Sequence, residues 1–136
     1  WKIAIKPGKP LAFGEVRRKE GEGKAWLIGL PGNPVSSFVT FLLLVRPFLL
    51  RLQGVTDIAM KTVAARADFA WPKGDKRREF LRVRRNANGG LDLFPNQSSG
   101  GLTSAVWGDG LGDNPPSGVI AVGDTVQFVP FAELLG

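Results

Sequence analysis

Apolar and polar positions alternate along Trp1-Lys2-Ile3-Ala4-Ile5, the period of a β-strand. The chain then leaves regular structure at Lys6-Pro7-Gly8-Lys9-Pro10, where two prolines and a glycine fall within four residues. Residues 11–16 read as a second short strand, 17–24 as an exposed turn, and 25–30 as an apolar run of buried-strand length. After Pro31-Gly32, Asn33 is a good N-cap, and Pro34 suits a first helical position because no N–H is needed there. Phe38, Phe41, Leu42, Val45, Leu49 and Leu52 recur at helical spacing, so a helix is predicted over 35–52, ended by Gly54. Leu43, Leu44, Phe48 and Leu50 fill its other faces, which predicts burial on more than one side by surfaces from outside this chain. Pro47 should kink it, since an interior proline removes one backbone hydrogen bond.

After Gly54 the pattern becomes short strands and turns, predicted at 61–69, 79–85, 91–94, 119–122 and 125–130. Asn86-Ala87-Asn88-Gly89-Gly90 reads as a glycine-containing hairpin and Val122-Gly123-Asp124 as a second tight reversal. Residues 97–118 read as a long irregular loop, of a length that tends to be functional or mobile, with room for a short element over 102–106. No internal repeat is present. The pattern therefore splits the chain into the end of an α/β unit and an all-β unit.

Composition narrows the chemistry. The 136 residues contain no Cys, His or Tyr. Disulfides, thiol nucleophiles, His/Cys zinc sites and Ser-His-Asp triads are thereby excluded within this chain, leaving only hard oxygen ligands for a metal. The longest apolar stretch, 38–45, is interrupted by Thr40 and closed by Arg46-Pro47, short of the ~20 residues a membrane span needs. Because the chain opens at Trp1 in what reads as mid-strand, a fragment of a larger protein is expected.

Charge is unevenly placed. Of the net +6, residues 1–54 carry +6, residues 55–85 carry +5 and residues 86–136 carry −5. Such a distribution suits an anionic ligand on one side of the molecule.

Three constellations could hold such a ligand. In α/β sheets ligands collect beyond the carboxyl ends of strands, so the loops Lys6-Pro7-Gly8-Lys9-Pro10 and Leu30-Pro31-Gly32-Asn33-Pro34-Val35-Ser36, each following a strand, would together form a crevice wall. Glycine lets backbone N–H groups approach a phosphate, the Asn33-capped helix offers its positive end, Ser36 and Ser37 add hydroxyls, and Lys6 and Lys9 add charge. The bland alternative is a pair of Pro-Gly turns with solvated lysines. In the second constellation, Arg78, Arg82 and Arg84 fall at even spacing, which predicts one shared face opposite core-facing Leu81 and Val83. That ladder could clamp phosphates, bind single-stranded RNA beside Phe80, or merely be solvated. The third, Gln97-Ser98-Ser99-Gly100-Gly101-Leu102-Thr103-Ser104, suits an anion nest or a flexible loop. Trp1, Trp26, Trp71 and Trp107 read as core or interface aromatics, and Asp109, Asp113 and Asp124 as turn formers before metal ligands.

Taken in order, Trp1-Lys2-Ile3-Ala4-Ile5-Lys6-Pro7-Gly8-Lys9-Pro10, Gly29-Leu30-Pro31-Gly32-Asn33-Pro34-Val35-Ser36, Val45-Arg46-Pro47, Glu79-Phe80-Leu81-Arg82 and Asn86-Ala87-Asn88-Gly89 resemble the C-terminal part of the MoeA and gephyrin E-domain family of molybdopterin molybdenumtransferases. The resemblance covers essentially the whole chain. It implies α/β plus β architecture: residues 1–54 as the end of a three-layer α/β/α molybdopterin-binding domain, and 57–136 as a small C-terminal all-β barrel.

The implied reaction is insertion of molybdate into adenylylated molybdopterin with release of AMP, in molybdenum cofactor biosynthesis. The resemblance further implies Lys2, Lys6 and Lys9 as catalytic contacts to molybdate or phosphate oxygens. Pro31, Gly32, Asn33, Pro34 and Ser36 would line the pterin pocket. Arg78 or Arg82, with Ser99, would face the cleft from the barrel. Magnesium would be held by carboxylates outside this chain, so the chain alone should not catalyse the transfer. A cytoplasmic homodimer with no membrane or nucleic-acid partner is implied, as is contact with the molybdopterin adenylyltransferase. Two competing readings are a basic barrel that binds single-stranded nucleic acid and an assembly module that pairs through its sheet and apolar helix.

Overall fold

A computed structural model describes residues 5–6, 12–17, 23–29, 39–58, 60–95, 97 and 108–132. Its centre is a barrel of five strands: β4 (Val63–Ala67), β5 (Arg78–Arg85), β6 (Gly90–Leu93), β7 (Gly110–Asn114) and β8 (Thr125–Pro130). They follow the order β5-β6-β4-β8-β7, and β7 returns to pair with β5, closing the sheet on itself. Closure leaves no unpaired barrel edge, which is how a small all-β unit avoids strand addition by other chains. All barrel pairs are antiparallel except β4 with β6.

Alternation along the strands fills the inside. Leu81, Val83, Leu91, Val126 and Phe128 point inward and pack with Phe69 and Ile120 into one buried cluster. The outward-facing Phe80, Leu111 and Val129 are also buried, because Val39 and Leu42 of the helical segment lie on them. That second layer explains why β5 is buried on both faces.

The helical segment begins by Val39, and the start expected at 35–38, with its Asn33 cap, lies outside the described residues. A π-helical turn, Phe41–Val45, passes directly into α1 (Arg46–Leu52). Arg46 donates its N–H to the Phe41 carbonyl, the five-residue reach of a π turn. The cause is adjacent: Pro47 has no N–H to donate, and its ring crowds the carbonyl four residues back, so the wide turn falls immediately before it. At the far end Gly54 takes φ 87. Its N–H bonds Arg51 O at 3.0 Å while Val55 N–H bonds Leu50 O at 3.0 Å, a Schellman stop at the glycine expected to end the helix. Within this chain Val39, Leu42 and Val45 are covered and Phe41, Leu49 and Leu52 are exposed, which leaves those faces for the cover expected from outside it.

Upstream, β2 (Ala12–Arg17) and β3 (Lys24–Gly29) form an antiparallel pair, as the two predicted strands and intervening turn require. The first strand, β1 (Ile5–Lys6), pairs elsewhere: it runs parallel to β5 in the barrel sheet, with Ile5 opposite Arg78 and Lys6 opposite Glu79. Lys6 is thus the end of a strand, where the Pro-Gly pattern had placed it in the loop. The strands preceding the two proline-glycine loops belong to different sheets, and the loops themselves lie outside the described residues.

Two further departures concern the acidic half. The strand expected at 119–122 is reduced to one bridge, Trp71 with Ile120, set among turns. Conversely β7 lies inside the stretch read as a long loop. Gly-Leu-Gly-Asp-Asn has weak strand propensity, but an inward Cβ at Gly110 would collide with the Val129 carbonyl and the Phe128 ring. Close packing inside the barrel requires glycine there and overrides propensity.

Candidate anion-binding site beside strand β5

Strand β5 carries three features, two arginines on its outer face and a carboxylate on the other. At its start Arg78 donates from Nε to Asp113 Oδ1 at 2.7 Å and from Nη2 to Asp113 Oδ2, a fork on both carboxylate oxygens. Its guanidinium also lies 5.1 Å from the Phe80 ring centroid. Asp113 stands on β7, one register step from Glu79's partner Asn114, so the β5–β7 pairing itself creates this contact. The neighbouring carboxylate raises the Arg78 pKa further above its already high value.

Four residues on, Arg82 is only 2% exposed. Among the described residues it has no carboxylate partner. Its Nη2 donates to the Gln97 backbone carbonyl, and its buried Nε has no hydrogen-bond partner. Burial pushes the Arg82 pKa down to about 10, so the group remains charged at neutral pH. A cation in this state costs free energy unless an anion completes it.

Gln97 continues the ladder where β6 stops. Its Oε1 accepts from Arg82 N–H at 3.0 Å, and its Nε2 donates to Arg82 O at 3.0 Å and to Phe94 O at 2.8 Å. The side-chain amide therefore behaves as the next peptide unit of the strand.

The third feature is a buried carboxylate. Glu79, 2% exposed, accepts at Oε1 from Trp71 Nε1 at 3.0 Å, from Asp75 N–H at 3.0 Å and from Asn114 Nδ2 at 3.4 Å. These bonds tie the loop before β5 to the end of β7. They also fix the strand segment against which β1, and so Lys6, is laid.

Of the residues singled out from sequence, Arg78 and Arg82 are thus on β5 and the backbone of Lys6 is beside it. Lys2, Lys9, Pro31, Gly32, Asn33, Pro34, Ser36 and Ser99 lie outside the described residues. Leu81 and Val83 do face the core and the arginines lie opposite them, as the spacing predicts, but the arginines are not in equivalent surroundings. Arg82 is buried, Arg78 is committed to Asp113, and Arg84 is exposed. Asp113 and Gln97 had been read as a turn former and as part of a loop motif. No local signal marks either, since each acts through a partner 35 or 15 residues away in sequence.

Among the described residues no three His, Cys, Asp or Glu side chains converge as a metal site. No helix among them is long and apolar enough to cross a membrane.

Comparison with known proteins agrees with this architecture. The chain is 35% identical over its whole length to a molybdopterin molybdenumtransferase of Haemophilus influenzae, of which it spans 34%. It is 34% identical over 81% of its length to the molybdenum cofactor synthesis protein cinnamon of Drosophila melanogaster, spanning 18% of that protein. The chain thus covers about a third or less of these relatives. Among solved structures, the molybdopterin biosynthesis moeA protein of Pyrococcus horikoshii superposes on 93% of the chain with a TM-score of 0.70 and 27% identity, the match covering 30% of that protein. Residues 64–131, half of the chain and the span of the closed barrel, match the family described as MoeA C-terminal region (domain IV), and the chain belongs to that family.

Proposed function

We propose that this chain is part of an enzyme of molybdenum cofactor biosynthesis that inserts molybdate into adenylylated molybdopterin and releases AMP. One observation carries the reading for this chain: β1 pairs with β5, which brings the Lys6 strand end beside the segment leading to Arg82, a buried cation without a carboxylate partner among the described residues. Every substrate in the reaction is an anion, and a desolvated guanidinium held in a fixed orientation is suited to bind one. The names of the relatives support the same chemistry.

In this reading Arg82 contacts a substrate oxyanion, and Lys2, Lys6 and Lys9 supply further charge from the β1 side. Pro31, Gly32, Asn33, Pro34 and Ser36 line the pterin pocket, and Ser99 adds a hydroxyl from the segment after Gln97. Arg78, held by Asp113, maintains the β5–β7 seam. Residues 1–54 form the end of the molybdopterin-binding domain, and 57–136 the barrel domain. No magnesium site is formed among the described residues; in this reading that ion is held by carboxylates outside this chain, and no step assigned here passes through it. The intact enzyme is a cytoplasmic homodimer that receives its substrate from the adenylyltransferase, and this chain alone is inactive.

The test is cofactor formation by the full-length protein at varied molybdate. Arg82→Ala should raise the half-saturating molybdate concentration by about ten-fold or more, with Arg82→Lys intermediate because it retains charge without the fork. Unchanged saturation in Arg82→Ala would overturn the assignment.

A further inference from the structure

We infer that Gln97 is a positioning residue that sets the orientation of the Arg82 guanidinium, which deepens the reading of Arg82 given above and rests on it. The geometry is a closed ring between two residues. The Gln97 side-chain amide is bonded to both backbone groups of Arg82, its Oε1 accepting from N–H and its Nε2 donating to C=O, each at 3.0 Å. The backbone carbonyl of the same Gln97 accepts from Arg82 Nη2. One end of Gln97 is therefore referenced to the Arg82 main chain, and the other to the tip of its side chain.

Two consequences follow. The Nη2 edge of the guanidinium is fixed by a neutral acceptor, which orients the cation without neutralising it, unlike the carboxylate that Arg78 has in Asp113. Nε, on the same edge of the fork, is buried and has no hydrogen-bond partner among the described residues, which leaves one donor of that edge for an oxyanion. An arginine with several rotatable bonds loses binding strength when it must first be ordered, so a fixed orientation favours tight association. A third bond, from Nε2 to Phe94 O at 2.8 Å, anchors the amide to the chain leaving β6 and prevents the ring from drifting.

The experiment is a double-mutant cycle on the full-length protein, with inorganic molybdate as the probe in calorimetric titration. Gln97→Met keeps the side-chain length and deletes the amide, while Arg82→Met deletes the cation. Each single variant should weaken molybdate binding by about ten-fold, and the double variant should be no weaker than Arg82→Met within about two-fold, because Gln97 acts only through Arg82. NMR of the Arg82 side-chain signals should show hindered guanidinium rotation in the parent and free rotation in Gln97→Met. This spectroscopic readout would not follow from a generally loosened barrel. Losses that add in the double variant overturn the inference, as does full affinity in Gln97→Met alongside loss in Arg82→Met. Full affinity in Arg82→Met overturns the functional reading of Arg82 and this inference with it.

Discussion

Arg78 grips both carboxylate oxygens of Asp113 across the β5–β7 seam, while Arg82, four residues along the same strand, has among the described residues only a backbone carbonyl for its guanidinium. The two arginines look equivalent in sequence, and burial separates them. Arg78's side chain is 46% exposed, so its ion pair is screened by water and contributes little. A double-mutant cycle with Arg78→Met and Asp113→Asn, read by urea denaturation, should give a coupling of about 0.5–1 kcal/mol. Molybdate affinity should be unchanged in Arg78→Met.

Glu79 presents the opposite case, an acceptor taken out of water with three donors aimed at one oxygen. Glu79→Ala leaves the Trp71 indole N–H and the Asp75 amide without their acceptor. It should cost about 2–3 kcal/mol of unfolding free energy. Glu79→Gln retains an oxygen at that place and should cost less than half as much. Equal losses in the two variants, measured by chemical denaturation, would show that the hydrogen bonds are not what the carboxylate supplies.

How far the sequence reveals this molecule depends on the range of the interaction concerned. The Asn86–Gly90 hairpin was legible because its bonds are local: Asn86 Oδ1 accepts from Asn88 N–H and Gly90 N–H, and Gly89 takes φ 79. The helix stop at Gly54 was legible for the same reason. Strand β7 was not, because what makes Gly110 a strand residue is Phe128, 18 positions away, and no propensity encodes it. Parity correctly placed Leu81 and Val83 inside the barrel, yet could not distinguish a solvated Arg82 from a buried one. That difference involves Gln97, 15 positions away, which bonds both the backbone and the guanidinium of Arg82. The family resemblance named Arg78 and Arg82 together, and only the geometry shows one on a carboxylate and the other buried.

The two inward glycines of β7 make a matched pair for testing the barrel's packing. A Cβ at Gly110 meets the Val129 carbonyl, backbone that cannot move without breaking the β7–β8 ladder. At Gly112 the nearest atom is Val83 Cγ1 at 3.5 Å, an ordinary contact. Gly110→Ala should therefore lose about 3 kcal/mol or fail to fold, while Gly112→Ala should change stability by less than about 1 kcal/mol. Thermal melts of the two variants side by side check the ordering, and a more damaging Gly112→Ala would contradict the inward packing at Gly110.

Asp68 gives the barrel a defined acid response. Arg66 Nε donates to its Oδ1 at 2.8 Å and Asn86 Nδ2 to its Oδ2 at 2.7 Å. These bonds, Arg66 first, hold the carboxyl at about 2, below its ordinary 3.8. A carboxylate whose pKa is lower folded than unfolded binds fewer protons in the folded state, so its contribution is complete above 3.8 and fades as pH falls toward 2. The difference in unfolding free energy between parent and Asp68→Asn should therefore be constant from neutral pH down to about 4 and shrink below it. High salt should reduce that difference at neutral pH, because the pair is open to solvent. Curves that stay parallel through the acid range would mean that Arg66 and Asn86 do not favour the ionised form in solution.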